Sequence, residues 1–208
     1  LAHRVCEGDR YTRAGKYKAW GPQLLLGTDF YGKTVGIIDS GRIGAGVVRR
    51  LHDGFHMKIV YNDVKRNKDL ESTTGAQYKT LEQLLKTSDF VSLHVPLLPS
   101  TQHLIGVKEL KMMKKTAFLI NTARGAIIDE RALAQTLAKK EIAGAGLDVY
   151  ECEPLIDCDP KDNLDLRKMD NVVLTPHTAS ATEATRQQMS MIAAKNILAF
   201  IQNKKPPN

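Results

Sequence analysis

The stretch Thr34 to Leu51, TVGIIDSGRIGAGVVRRL, restricts what this chain can fold into more than any other. Val35, Ile37 and Ile38 make a short apolar, β-branched run that reads as a buried strand. Asp39, Ser40 and Gly41 then turn the chain, and Ile43, Val47, Val48 and Leu51 fall on one face at helical spacing. A strand that enters a helix through a glycine turn aims unpaired helix N–H groups at one point, which suits a phosphate or pyrophosphate. Gly41 and Gly44 occupy the second and third glycine positions of the dinucleotide fingerprint, one for close approach of the pyrophosphate and one for helix–strand packing. The first position holds Asp39 instead. Aspartate tolerates a left-handed turn, but its carboxylate would repel a pyrophosphate unless it turned away. Taken alone the pattern leaves an ordinary glycine turn open as the alternative.

Further strands are predicted at Lys58–Asn62, Phe90–Leu93, Ala117–Ile120, Ala143–Val149 and Val172–Leu174, six in all with the first. Between them the pattern predicts a helix opened by a Thr80–Gln83 capping box, a short helix over Val107–Met113 and another over Asp129 to about Lys139. A polar helix opens the chain from Leu1 to about Ala14. A closing helix starts at a Ser180–Glu183 capping box and carries Met189, Ile192, Ala193, Ile197, Phe200 and Ile201 on one face. Strand and helix alternating over short connections imply an α/β fold, a doubly wound parallel sheet of Rossmann type. Residues 1–32 read as a linker helix and arm, 33–180 as the dinucleotide-binding domain, and 181–208 as a C-terminal helix. Trp20 in the arm is either packing or an interface anchor.

Ligands of such sheets bind beyond the carboxyl ends of the strands. Asp63, His94, Asn121, Thr122, Arg124, Asp148 and His177 all lie at or just past such an end. Asp63 stands about twenty positions beyond the fingerprint, where a ribose 2′-hydroxyl needs a carboxylate acceptor. That favours NAD over NADP, although Lys65 and Arg66 follow closely; a solvated strand-end aspartate is the plainer reading.

The formal net charge of +7 raises nucleic acid as a partner, but the basic residues are scattered among acidic and aromatic ones and read as solvated faces. No apolar run is long enough to span a bilayer and no signal peptide opens the chain. Cys6, Cys152 and Cys158 are too few and too unevenly spaced for a disulfide framework and fit a reducing, cytoplasmic compartment. They supply no metal site either. The start at Leu1, without methionine and inside a helical pattern, suggests a fragment. The charged segment Leu155–Lys168 reads as a surface loop, with a lid as the alternative.

Five ordered motifs, VGIIDSGRIG, VSLHVPLLPSTQHLIG, INTARGAIIDERAL, AGAGLDVYECEP and NVVLTPHTAS, resemble the D-isomer-specific 2-hydroxyacid dehydrogenases. The opening EGDRYTRAGKYKAWGPQLLLG and closing NILAFIQNKKPPN resemble their glyoxylate and hydroxypyruvate reductase branch. The resemblance spans essentially the whole chain. It implies that a substrate-binding part of about a hundred residues is missing. It also implies catalytic roles for Arg124, Glu153 and His177 and a small 2-oxo or 2-hydroxy acid as substrate. A guanidinium fork matches a carboxylate beside a ketone, and imidazole is the usual proton donor near neutral pH. A carboxylate at Glu153 would orient the imidazole and favour its charged form. Taken singly, each of the three reads equally well as a solvated surface residue. Cofactor contacts implied in the same way are Ser40, Gly41, Arg42, Ile43, Gly44, Asp63, His94, Val95, Pro96, Thr101, Thr122, Ala123, Asp148 and, beside the substrate, Arg124 and His177. The arm around Trp20 suggests a homodimer, and no nucleic-acid or membrane partner is expected. A dinucleotide-sensing corepressor-like protein and an inactive relic stay open, because fold alone does not settle activity.

Overall fold

A computed structural model describes residues 1–155 and 165–207. The chain divides into two compact units, Leu1–Leu174 and Thr175–Asn208, each described by itself.

The first unit begins with α1 (Val5–Arg13), preceded by Arg4 in a left-handed conformation at φ 53°. The helix is therefore shorter than Leu1–Ala14, and it buries none of its residues. There follow β1 (Thr34–Ile38), α2 (Arg42–Phe55), β2 (Lys58–Asn62), α3 (Lys68–Thr74) and β3 (Gln77–Tyr78). The chain continues through α4 (Leu81–Thr87), β4 (Phe90–Leu93), α5 (Val107–Leu110), β5 (Phe118–Asn121), α6 (Glu130–Ala138), β6 (Gly144–Leu147) and β7 (Val172–Leu174). The strands form one sheet in the order β3-β2-β1-β4-β5-β6-β7, every pair parallel. The order in which strands are added reverses between β1 and β4, the switch point at which doubly wound sheets open a crevice.

The strands hold because both faces are covered. Val35, Ile37, Ile59, Tyr61 and Phe90 pack on one side with Val48 of α2 and Leu70 of α3. Ile38, Val60, Val91, Leu93, Leu119 and Leu147 pack on the other with Leu84, Leu85, Leu133 and Leu137 of α4 and α6. Side chains alternate across a strand, so each apolar run feeds both layers. Gly36 lets α4 lie close to β1: a Cβ there would meet Leu84 Cδ2 at 2.5 Å.

The capping box at Thr80 and Gln83 is present as predicted, with Thr80 Oγ1 accepting from the Gln83 amide at 3.2 Å. Two expectations are corrected in this unit. The sequence reading left residues 64–79 without an element; the structure places α3 and the two-residue edge strand β3 there, making seven strands rather than six. And Cys152 is disulfide-bonded, against the expectation of a chain without disulfides, while Cys6 is a free, exposed thiol.

The second unit holds α7 (Glu183–Ile201). Its N-cap is Thr182, whose hydroxyl accepts from the Thr185 amide at 3.2 Å, so the Ser180–Glu183 capping box is not the one formed. Thr182 wins because it stands immediately before the first helical residue, where a cap must be. No residue of α7 is buried; the face read as apolar is exposed, with Phe200 at 78%. No helix among the described residues is long and apolar enough to cross a membrane.

Candidate dinucleotide site

The register of the sheet brings the candidate residues to one edge. Ile38 is paired with Asn62 and with Leu93, Leu93 with Asn121, and Asn121 with Leu147. The five strands therefore end level, and the residues that follow, Asp39, Asp63, His94, Thr122 and Asp148, share one rim. Parallel pairing points all the carboxyl ends one way, and this register brings them level.

At the switch point the chain leaves β1 through Asp39, which adopts φ 76°. This is the left-handed conformation for which the fingerprint ordinarily uses glycine. The Asp39 carboxylate does not turn away: Oδ1 accepts from the Gly41 amide at 2.7 Å. It thus covers one of the N–H groups the turn would present to a phosphate. Gly44 is sterically required, because a Cβ would stand 2.0 Å from the Asp39 carbonyl oxygen. The same contact rotates α2 so that Gly44, Ala45 and Val48 are its buried line. Ile43, read from sequence as part of the apolar face, lies about 100° from Gly44 on the helix and is instead 68% exposed. Arg42 beside it is also exposed.

Gly41 caps α2 without a side-chain hydrogen bond, leaving the amides of a 14-residue helix as a cradle for an anion. Apart from Asp39, the turn fits a dinucleotide. Replacing Asp39 by glycine removes a left-handed non-glycine residue and a negative charge from the cradle, and NADH affinity should rise about tenfold, the worth of one charge-assisted hydrogen bond. Calorimetric titration of wild type and Asp39→Gly checks this; equal dissociation constants would mean the carboxylate does not compete.

Asp63, at the end of β2, braces the same turn. Its Oδ2 accepts from the Ser40 amide at 2.8 Å and from Ser40 Oγ at 2.7 Å. Burial pushes the carboxyl up, but the hydrogen bonds from Ser40 outweigh it and hold the group below its ordinary range. Oδ1 receives a long contact from the Lys65 amide at 3.4 Å, which leaves it room to accept from a ribose hydroxyl. Asn67 completes the brace by donating from Nδ2 to the Ser40 carbonyl at 3.0 Å. Sequence reading missed Asn67 because α3, which it caps, was not recognised.

His94 ends β4 beside Ser92, its Nε2 3.0 Å from Ser92 Oγ. Both residues and Thr122 line a 350 Å³ apolar cavity shared with Phe90, Phe118 and Ile120. Burial drives the His94 imidazole down from 6.5 to about 4. The unfolded chain therefore takes up this proton more readily than the fold. The stability linked to it is complete above pH 6.5 and is lost as pH falls towards about 4, about 3 kcal/mol in all. Urea unfolding between pH 7 and 4.5 should show a steeper loss in wild type than in His94→Gln; identical pH profiles would contradict the buried neutral ring. Val95 packs against the core. Pro96 and Thr101 belong to the loop that follows, where the Thr101 hydroxyl donates to the Pro96 carbonyl at 2.6 Å and accepts from the Leu98 amide at 2.8 Å. Thr101 thus shapes its own loop.

After β5 the turn 121–125 is held by the buried Asn121 side chain. Its Nδ2 donates to the Arg124 carbonyl at 2.9 Å and its Oδ1 accepts from the Ala123 amide at 3.0 Å. Thr122 and Arg124 remain exposed. Gly125 lies directly on the next loop: a Cβ would stand 1.9 Å from the Tyr150 carbonyl carbon. The Arg124 turn and the chain leading to Glu153 are therefore in backbone contact. Asp148 starts that chain, 3% exposed, its amide donating to the Asn121 carbonyl at 3.0 Å. Glu151 anchors it further, pairing with His103 and accepting from the Glu130 amide at 3.2 Å. Glu153 is exposed. The segment Leu155–Lys168 falls mostly outside the described residues, as does Cys158.

His177 belongs to the second unit. It adopts φ 54°, a left-handed non-glycine conformation of the kind that clusters at functional sites. Among the described residues no group of three or more His, Cys, Asp or Glu is placed to hold a metal ion.

The sequence model of the family "D-isomer specific 2-hydroxyacid dehydrogenase, NAD binding domain" matches residues 1–179. The chain belongs to this family. The matched residues take in the whole of the unit built around the level strand ends. A glyoxylate reductase of Korarchaeum cryptofilum is 51% identical over 208 residues, covering 100% of this chain and 61% of the relative. The crystal structure of the TT0316 protein from Thermus thermophilus superposes with a TM-score of 0.90 at 42% identity, covering 100% of this chain and 63% of that one. A D-lactate dehydrogenase from Aquifex aeolicus, complexed with NAD and lactic acid, gives a TM-score of 0.87 at 31% identity, with 98% and 63% covered. The chain thus spans about three fifths of the length of these relatives.

Proposed function

We propose that this chain is the cofactor-binding part of an oxidoreductase that interconverts a small 2-oxo acid, glyoxylate or hydroxypyruvate, and the corresponding 2-hydroxy acid, of D configuration where that carbon is a stereocentre. Reduction of the carbonyl beside the carboxylate needs a hydride, which NADH would supply when bound, and a proton. Arg124 binds the substrate carboxylate and draws electron density from the carbonyl oxygen through its fork of N–H donors. His177 donates the proton to that oxygen as negative charge builds on it. Glu153 orients the imidazole and stabilises its charged form. Ser40 to Gly44 hold the pyrophosphate, Asp63 the adenosine ribose, and His94, Val95, Pro96 and Thr101 border the adenosine side. Thr122 and Ala123 flank the nicotinamide ribose, and Asp148 takes the carboxamide.

The observation carrying this reading is the level row of strand ends, which presents the glycine turn, Asp63, His94, Thr122 and Asp148 on one rim. The likeness to glyoxylate reductases supplies the substrate class. Residues 181–208 would return to the substrate-binding part. Two copies would pair through the arm, where Trp20 is 80% and Tyr31 74% exposed. The reading assigns a cytoplasmic enzyme with no nucleic-acid or membrane partner.

The test is a chimaera in which this chain replaces the matching region of the Korarchaeum cryptofilum relative. NADH oxidation should follow addition of glyoxylate or hydroxypyruvate. A folded chimaera that binds NADH yet reduces neither would overturn the proposal.

A further inference from the structure

Arg66 stands three residues beyond Asp63, on the same loop, where a guanidinium could meet a 2′-phosphate on the adenosine ribose. It is not available to one. Arg66 Nε donates to Glu71 Oε1 at 3.0 Å and Nη2 to Glu71 Oε2 at 2.9 Å, a two-pronged ion pair. The same guanidinium lies over the Tyr78 ring, 5.8 Å from its centre. Tyr78 in turn donates its hydroxyl to the Asp63 carbonyl at 3.2 Å and meets the Tyr61 ring edge-on at 5.5 Å.

Glu71 is itself fixed from below. Its Oε1 accepts from the Tyr61 hydroxyl at 2.6 Å, and the Tyr61 side chain is fully buried in the sheet layer. The Asn67 amide donates to the Tyr61 oxygen at 2.8 Å, which orients the hydroxyl hydrogen towards Glu71. Hydrogen bonds from Arg66 and Tyr61 hold the Glu71 carboxyl below its usual range, so it is charged at neutral pH. The carboxylate thus stands on a core-anchored phenol and grips an exposed cation.

We propose that Glu71 is a positioning residue for cofactor choice: by holding Arg66 in a two-pronged ion pair, it denies the guanidinium to the 2′-phosphate of NADPH and leaves Asp63 to select NADH. This rests on the dinucleotide reading of the rim. Asp63 discriminates by repelling the phosphate, and Glu71 by withdrawing the cation that would offset that repulsion. Lys65 is the other cation of the loop, but a single ammonium lacks the fork that matches a phosphate.

Glu71→Gln keeps the shape and an acceptor for Tyr61 while removing the charge and one prong. NADH and NADPH are titrated calorimetrically into the 208-residue chain. NADPH affinity should rise about tenfold, as expected for one recovered charge-assisted contact, and NADH affinity should stay within about twofold. Adding Arg66→Ala should abolish the gain. NADPH affinity unchanged in Glu71→Gln, with NADH binding intact, overturns the proposal. Arg66→Ala alone, a surface substitution with little folding risk, should leave both affinities unchanged; a loss of NADPH affinity would show the guanidinium already serving the phosphate and would also overturn it. Failure of the wild-type chain to bind either dinucleotide would remove the underlying reading of the rim and the proposal with it.

Discussion

Alanine at position 177 lowers kcat of the chimaeric reductase by about a hundredfold to ten-thousandfold, the usual worth of a placed proton donor, while the KM for glyoxylate moves by a few-fold at most. Carbonyl reduction makes an alkoxide unless a proton arrives with the hydride, whereas binding of the ground-state 2-oxo acid draws little on that proton. The φ of 54° at His177 complicates alanine, which resists the left-handed region by about 1–2 kcal/mol. Asparagine accepts that conformation far better and carries no proton to give. His177→Asn should therefore retain the thermal stability of the parent yet show the same collapse in kcat. A variant of either kind with wild-type turnover would end the assignment.

Arg124→Ala should act differently, on binding and chemistry together. Truncating one partner of a desolvated, hydrogen-bonded charge pair typically costs about 2–5 kcal/mol. The expected fall in kcat/KM is thus about thirtyfold to a few thousandfold, shared between a raised KM and a lowered kcat. Arg124→Lys should recover little, because a point charge cannot bridge carboxylate and carbonyl. Fold stability should hardly change, since the side chain is exposed and, among the described residues, its hydrogen bond is a local one, Nη1 donating to the Ala123 carbonyl at 2.6 Å. NADH affinity should shift far less than glyoxylate affinity. If both fall together, Arg124 serves the cofactor rather than the acid.

How much could be read from the residues follows from how local each signal is. The β1–turn–α2 unit was legible because a β-branched run, a glycine turn and a helical stripe sit within eighteen positions and each is set by short-range sterics. The strand ends were legible because parallel strands buried on both faces are nearly uniform apolar runs with polar stops. α3 was not: KDLESTT buries only Leu70 and takes its cap from Asn67, so its helicity depends on packing rather than pattern. β3 is two residues long and exists through pairing of Gln77 with Val60 and of Tyr78 with Tyr61. The role of Asp39 was half legible. Its left-handed backbone follows from the fingerprint position, but the choice of the Gly41 amide over solvent is a matter of side-chain reach that no spacing encodes. The Arg66–Glu71–Tyr61 cluster was hidden for the same reason, as it joins residues across an unrecognised helix.

The backbone seat of Gly125 on Tyr150 and Glu151 has a mechanical result. With no side chain between them to act as a cushion, the arginine-bearing bend rests backbone to backbone on the start of the run that leads to Glu153. A ligand that nudges one must drag the other along. On the roles proposed for Arg124 and Glu153, a shift of the guanidinium to suit a longer or shorter acid would be passed on to the run that carries the carboxylate.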